Sequence, residues 1–141
     1  MVFLVHHAEA VDSSLDPQRP LTPEGAAHAK RLAEAAAARG VKPAVIWHSG
    51  KLRARHTADA FWRACNPLSE FAAIRGLQPA DPPDWIRDRL LGESRDVMLV
   101  GHMPNIARVA ELISDARMFP AHGLVAIEWS GEGGREAWRL V

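Results

Sequence analysis

Three positions in the sequence place reactive side chains where an apolar segment gives way to a helical one. His6 and His7 end the first apolar run, Arg53 lies in the first turn of a predicted helix, and His102 follows a later apolar run. Imidazole is a nucleophile near neutral pH, and a guanidinium group matches two oxygens of a phosphate. Backbone N–H groups at the start of a helix also bind anions. A pocket that combined these groups would suit a phosphoryl group.

A metal site is the alternative chemistry for a chain with several histidines. Zinc sites use ligands at short, regular spacings, such as two histidines separated by three residues on a helix, or paired cysteines. No such spacing occurs among the histidines, which are His6, His7, His28, His48, His56, His102 and His122. We therefore expect no metal site.

Adjacent residues of a regular strand point to opposite faces of the sheet. One of His6 and His7 is therefore expected to face the pocket, while the other packs or bends away. His122 precedes a predicted strand, and we assign it to a loop in preference to the rim of the pocket.

The elements that must position these residues alternate between strands and helices. Uninterrupted apolar runs at residues 2–5, 44–47 and 97–100 are typical of strands buried on both faces. Thr22 followed by Pro23 has the chemistry of a helix start, which predicts a helix over residues 23–39.

Further helices and strands complete the pattern. Helices are predicted over residues 51–65 and from Pro104 onward, with a short one in the segment PADPPDWIRDRLLG. Residues 71–74 are a weaker strand candidate, and residues 123–129 and 135–140 are candidates for two closing strands.

This alternation predicts a three-layer α/β/α sandwich with a mostly parallel central sheet, in a single domain over residues 1–141. Ligands of such sheets bind at the carboxyl ends of the strands. The three reactive junctions are therefore expected to meet at one edge.

Composition narrows the classes of partner. The chain has 141 residues, and its 17 basic residues balance 17 acidic ones. Without a broad positive field, binding to nucleic acid or to a membrane surface is disfavoured. The first apolar run is too short for a signal peptide or a membrane span, which predicts a cytoplasmic protein. Cys65 is the only cysteine, so no internal disulfide can form.

Four ordered motifs carry a resemblance to a known family. They are HHAEA after the first strand, RPLTPEG, HSGKLRARHTA, and VGHMP. In this order the chain resembles the histidine phosphatase superfamily, the phosphoglycerate-mutase-like proteins, and in particular their short SixA-type phosphohistidine phosphatases. The resemblance implies the phosphoglycerate mutase-like fold and a cofactor-independent phosphatase.

The resemblance also implies roles for individual residues. His7 would be the nucleophile that forms a phosphohistidine intermediate, Arg53 would clamp the phosphoryl oxygens, and His102 would stabilise charge in the transition state. Water would then hydrolyse the intermediate.

One departure from the family pattern concerns the residue before the nucleophile, which is arginine in the family and His6 here. Loss of a charged donor aimed at the transition state commonly costs about 3 kcal/mol, by analogy with oxyanion-hole deletions. Protonated His6, Arg19 or Lys51 are the candidates to replace that charge, and we assign His6 and Arg19 to substrate binding. Arg55 is expected to point away, because two residues turn a helix by roughly 200°.

A second departure is the absence of an acid. Mutases and general phosphomonoesterases of this superfamily have a glutamate that protonates the leaving oxygen, whereas the corresponding stretch here, IRGLQPADPP, has none. Phosphorylated imidazole leaves more readily than an alkoxide, so this absence favours phosphohistidine as the substrate. Asp81 or Asp84 could still supply a proton to an ordinary phosphate ester.

Three functions remain open at this point. The first is a phosphatase that acts on phosphohistidine in a partner protein, and the second is a phosphatase of small phosphorylated molecules. The third is a degenerate module that binds phosphate with little turnover, because His6 replaces the arginine of the family.

Overall fold

The computed structural model describes all residues, 1–141. Six strands and four helices follow one another in the order β1 (Val2–His6), α1 (Pro23–Ala38), β2 (Val45–His48), α2 (Leu52–Cys65), β3 (Glu70–Ala73), α3 (Asp84–Leu91), β4 (Val97–Gly101), α4 (Asn105–Ile113), β5 (Leu124–Trp129) and β6 (Gly134–Leu140). Every predicted element is present, with ends displaced by one or two residues in most cases.

The strands form one mixed sheet in the order β3-β2-β4-β1-β5-β6. The first four strands in this order pair in parallel, whereas β5 pairs antiparallel with both β1 and β6. β1 therefore lies in the interior of the sheet, between β4 and β5. This topology confirms the predicted α/β class with a mostly parallel sheet.

Side chains of β1 alternate between two hydrophobic cores. Phe3 and Val5 join the core beneath α1 and α2, whereas Val2 and Leu4 join the core beneath α3 and α4. Helices thus cover both faces of the sheet, which gives the three layers expected from the sequence.

The first helix begins where the capping chemistry predicted. The Thr22 hydroxyl oxygen accepts a hydrogen bond from the backbone N–H of Gly25 at 2.9 Å, and Pro23 occupies the first turn. Gly25 packs directly on the loop after β1, because a Cβ atom at this position would lie 2.1 Å from the carbonyl oxygen of Glu9. The start of α1 therefore positions the segment that follows His7.

None of the four helices combines the length and the apolar composition that a transmembrane span requires.

Candidate active site

The ends of three parallel strands bring the predicted residues together. His6 and His7 lie at the end of β1, His102 follows β4 directly, and Arg53 lies in the first turn of the helix after β2. The ring centroids of His7 and His102 are 5.0 Å apart, and those of His6 and His7 are 4.5 Å apart. Residues almost one hundred positions apart in the chain thus form one cluster.

His7 is held in a single tautomer. Its Nδ1–H donates to the carbonyl oxygen of Ala8 at 2.7 Å, and because a carbonyl oxygen can only accept, the proton must lie on Nδ1. The lone pair of Nε2 is then free, as nucleophilic attack requires. The backbone N–H of His7 donates to the carbonyl oxygen of Gly101 at 3.0 Å, which ties the residue to β4.

A buried threonine joins the His7 loop to the helix that carries Arg53. The Thr57 hydroxyl donates to the carbonyl oxygen of Arg53 at 2.8 Å and accepts the N–H of Ala8 at 2.9 Å. Its side chain is thus bonded on both sides. Thr57 belongs to the HSGKLRARHTA motif, and its contacts explain why a hydroxyl residue is placed one helical turn after the arginine.

Arg53 has no anionic partner in the chain. It forms no salt bridge, and its Nε atom is buried without a hydrogen-bond acceptor. Burial and the charge of Arg19 lower the pKa of Arg53. A partly buried guanidinium without a carboxylate is suited to an external anion.

His102 is the most deeply buried of the clustered histidines, with 1% of its surface exposed. Its Nε2 atom lies 2.6 Å from the Ser49 hydroxyl, which also accepts the N–H of Lys51 at 3.3 Å. The Nδ1 atom is buried and has no partner. An oxygen atom of a bound anion could provide that partner.

Burial keeps these imidazoles neutral at physiological pH. It is the largest cause that lowers the pKa of His6 to about 3, of His7 to about 4 and of His102 to about 3. Charged or titratable neighbours, among them Arg53, shift all three pKa values in the same direction. The cluster therefore offers lone pairs and N–H donors, whereas its positive charge resides on arginine.

His6 does not have the charged form considered in the sequence analysis. Its Nδ1 atom accepts the backbone N–H of His122 at 2.8 Å, which leaves the ring proton on Nε2. His6 thus supplies one neutral donor in place of a guanidinium. The expectation that His6 and His7 would diverge was also wrong: their rings touch edge to face, because β1 ends at His6 and the strand alternation does not extend to His7.

The other cationic side chains considered in the sequence analysis, Arg19, Lys51 and Arg55, act on different residues. Arg19 has a left-handed backbone (φ 49°), its Nε–H donates to the carbonyl oxygen of Val11 at 2.9 Å, and its charge lowers the pKa of His7 and Arg53. The charge of Lys51 contributes to the lowered pKa of His102. Arg55 is exposed and acts instead on His48, as expected for a side chain on another side of the helix.

His122 belongs to the cluster, although we had assigned it to a loop away from the pocket. Its ring stacks on His6 with centroids 4.6 Å apart and planes at 10°, and its centroid is 5.9 Å from that of His7. Its Nδ1–H donates to the carbonyl oxygen of His7 at 2.6 Å. The one sequence signal was its place just before a closing strand, which gave no indication that this strand pairs with β1.

The cluster has the dimensions of a metal site but lacks the chemistry. Ring nitrogens of His6, His7 and His122 lie within 4.8 Å of one another. A metal ligand must present a bare ring nitrogen. His6 uses its bare Nδ1 to accept the N–H of His122, so only two of the three rings can coordinate in this arrangement. The fold thus brings histidines together that are not regularly spaced in the sequence, without three usable ligands.

A cleft of about 500 Å³ adjoins the cluster through Ser49, and Gln78, Asp81 and Trp85 are among its lining residues. The Asp81 carboxylate accepts the N–H groups of Gly76 at 3.2 Å and Gln78 at 3.0 Å, and so stabilises its own loop.

Neither Asp84 nor the largest groove contributes to the cluster. Asp84 does not line the cleft and lies 3.9 Å from Arg87 on its own helix. The groove, about 780 Å³ between α1 and α2, contains none of the predicted site residues.

Comparison with known proteins defines the class of this fold and site. Residues 2–87 match the model of the histidine phosphatase superfamily, branch 1, and the chain belongs to that superfamily. No curated protein sequence matches significantly.

Among solved structures, the chain is similar to the protein histidine phosphatase SixA complexed with tungstate, with a TM-score of 0.87 and 21% identity over 99% of this chain and 95% of the other. A protein from Agrobacterium tumefaciens assigned as a phosphohistidine phosphatase SixA gives a TM-score of 0.85 and 26% identity over 99% and 96%. Phosphoglycerate mutase from Thermus thermophilus is more distant, with a TM-score of 0.64 and 20% identity over 99% and 98%. These likenesses confirm the predicted phosphoglycerate mutase-like fold, and the family-model match confirms the predicted superfamily.

Proposed function

We propose that this phosphatase hydrolyses phosphohistidine through a covalent intermediate on His7, without a metal or other cofactor. The observation that carries the proposal is the bare Nε2 atom of His7, whose tautomer is fixed by Ala8 in a cluster that also contains Arg53. A neutral imidazole and an unpaired guanidinium are the two groups that phosphoryl transfer to histidine requires.

In the first step, Nε2 of His7 attacks phosphorus as the bond between phosphorus and the leaving nitrogen breaks. Arg53 and the Nε2–H of His6 donate to the phosphoryl oxygens, and Arg19 adds positive charge from the loop after β1. His102, with its partnerless Nδ1, donates to a third oxygen if the Ser49 hydroxyl donates to its Nε2. The leaving imidazole takes its proton from solvent.

In the second step, water attacks the phosphorus of phosphorylated His7. The new P–O bond replaces the P–N bond, Nε2 regains its lone pair, and orthophosphate leaves with the oxygen atom of water. The same donors stabilise both transition states, because the phosphoryl group stays in place while its two partners change.

The cleft beside the cluster supports phosphohistidine over an ordinary phosphate ester. An alkoxide leaving group needs a proton from a nearby acid, whereas imidazole leaves with little assistance. The carboxylate that lines this cleft, Asp81, is bonded to two backbone N–H groups of its own loop. The cleft is also open at the surface, and Ser49 in its wall contacts His102 of the cluster.

A His7→Ala variant tests the proposal. Wild-type protein should release phosphate from phosphohistidine, and its His7 peptide should gain one phosphoryl group when the reaction is quenched in alkali. His7→Ala should lose both properties, while His56→Ala, which removes an exposed histidine of α2, should retain them. Equal rates for wild type and His7→Ala would contradict the proposal.

A binding module with slow turnover is the second candidate, favoured by the neutral state of His6. In that case wild-type protein binds tungstate or phosphate but releases no phosphate from phosphohistidine, phosphoramidate or small phosphate esters. Hydrolysis of esters at a rate comparable to phosphohistidine would instead indicate a general phosphomonoesterase.

A further inference from the structure

The cluster contains a fourth imidazole with a structural setting of its own. His122 has a left-handed backbone (φ 54°), a conformation that few residues other than glycine adopt without strain. This conformation lets one residue make two contacts at the end of β1, from its backbone N–H to Nδ1 of His6 and from its ring to the carbonyl oxygen of the next residue, His7. The strain is thus retained where it positions the residues of the site.

Three of the four imidazoles are poorly placed to accept a second proton. His6 would have to release the N–H of His122 from Nδ1, and His7 would lose the lone pair that makes it a nucleophile. His102 is almost completely buried, and its Nε2 is already bonded to Ser49. A charge on any of them would break a contact, abolish the chemistry or require deep desolvation.

His122 can accept a second proton without breaking a contact and without deep desolvation. Its Nδ1–H already donates to the carbonyl oxygen of His7, a bond that the neutral and the protonated ring make equally well. Its Nε2 has no partner in the chain, and the side chain is only partly buried. Protonation at Nε2 therefore needs no rearrangement of the cluster.

We propose that His122 takes up a proton when a phosphoryl dianion binds, and that its imidazolium supplies the positive charge that the family obtains from the arginine before the nucleophile. The inference rests on the proposed function in that the dianion occupies the space in front of His7. A dianion in front of His7 favours the charged form of the adjacent His122 imidazole through direct electrostatic attraction.

The titratable side chains in contact with His122 are imidazoles. They are His6, whose ring stacks on it, and His7, whose ring centroid is 5.9 Å away. No carboxylate contributes to the pKa shifts of His6, His7 or His102. His122 itself forms no salt bridge, so a bound anion would be the negative partner of its imidazolium.

Tungstate binding measured by calorimetry tests this inference. Binding near pH 7.5 in two buffers with different heats of ionisation reports the number of protons taken up. Wild-type protein should take up a fraction of a proton that approaches one, and its affinity should fall as the pH rises. His122→Asn should take up essentially none and bind about tenfold more weakly near pH 6, with an affinity that varies little with pH.

Asparagine is chosen because it preserves the structural contacts of His122. It tolerates a left-handed backbone, and its amide N–H can still donate to the carbonyl oxygen of His7. Met118→Asn is the matched control, because Met118 has the same backbone conformation (φ 54°) and an exposed side chain outside the site. It should bind tungstate like wild type.

A second test, in a His6→Arg background, separates the effect of the charge of His122 from that of its structural contacts. In His6→Arg, the guanidinium restores the missing cation, so that adding His122→Asn should change the affinity less than twofold. A structural role exerted through the hydrogen bond to the carbonyl oxygen of His7, a contact that His6→Arg leaves in place, would weaken binding by the same factor in both backgrounds and would overturn the inference. Proton uptake that is absent in wild type, or unchanged in His122→Asn, would overturn it as well.

The outcome is independent of turnover. A protein that hydrolyses nothing but shows proton uptake dependent on His122 would refute the proposed function and support this inference. Phosphohistidine hydrolysis that depends on His7, with uptake that does not depend on His122, would give the opposite result. Failure to bind tungstate would overturn the inference.

Discussion

At the scale of single residues, the site depends on where each imidazole keeps its proton. His7 exposes a lone pair because Ala8 accepts from its other nitrogen, and His6 exposes an N–H because His122 donates to its other nitrogen. Two adjacent histidines thereby present different groups, and in the proposed mechanism His7 acts as the nucleophile and His6 as a hydrogen-bond donor. This division depends on hydrogen bonds to the backbone and not on the side chains alone.

The low pKa of His7 predicts how activity depends on acidity. Because burial lowers this pKa to about 4, His7 of the free protein keeps its lone pair when the pH falls from about 7 to about 5. The acid limb of kcat/KM for phosphoramidate should therefore lie near pH 4, after correction for uncatalysed hydrolysis. An acid limb centred near pH 6.5, the ordinary value for histidine, would contradict this assignment.

Sequence reasoning identified the residues of the cluster better than their ionisation states. His7, Arg53 and His102 could be placed together because each lies at a strand-to-helix junction, and junctions of parallel strands share one edge. The protonation of His6 could not be predicted, because it depends on the backbone N–H of a residue 116 positions away. His122 was missed for the same reason.

At the scale of elements, the contact between α1 and the His7 loop is close enough to test. Gly25→Ala would place a Cβ atom 2.1 Å from the Glu9 carbonyl oxygen, two residues after His7, so the backbone must shift. We expect a loss of about 1–3 kcal/mol in the free energy of unfolding, measured by denaturant titration, together with reduced phosphatase activity.

Gly133→Ala is the control for this change. Nothing lies within 4 Å of a Cβ atom at Gly133, which belongs to the turn between β5 and β6. Its free energy of unfolding should stay within about 0.5 kcal/mol of the wild-type value. Similar effects of the two substitutions would show that the contact between Gly25 and Glu9 does not position the loop.

The elements themselves were predictable because their signals are local. Thr22 and Pro23 fix the start of α1, and the apolar run in β4 matches a strand buried on both faces. The weaker prediction for residues 71–74 reflects an edge strand that is only partly buried, since β3 pairs with β2 alone. Its limits, Glu70–Ala73, follow from the register with β2, which no local pattern encodes.

At the scale of the whole molecule, the buried neutral histidines couple stability to pH. The folded-state pKa values of His6, His7 and His102 lie below the unfolded value of about 6.5, so the unfolded chain binds protons more readily. The contribution of these neutral histidines to stability is fully present above about pH 6.5 and is lost as the pH falls toward their folded-state pKa values. At about pH 5, each of these three histidines lowers the free energy of unfolding by up to about 2 kcal/mol.

Denaturant titrations between about pH 7 and pH 5 would measure this loss. The free energy of unfolding should fall steadily across the interval. Its slope against pH reports how many more protons the unfolded chain binds, and His6→Asn should reduce that number by about one. A free energy that stays constant over this interval would show that the clustered histidines are not neutral in the folded protein.

The interior position of β1 has a consequence for how the molecule is made. The strand that precedes His7, the proposed nucleophile, pairs with β4 and β5, which a ribosome synthesises about ninety residues later or more. Until those segments emerge, the first histidines of the nascent chain have no neighbours and no fixed proton. Synthesis must therefore reach β5 before His7 gains its surroundings, and a chain that stops short of β5 is expected to lack the proposed activity.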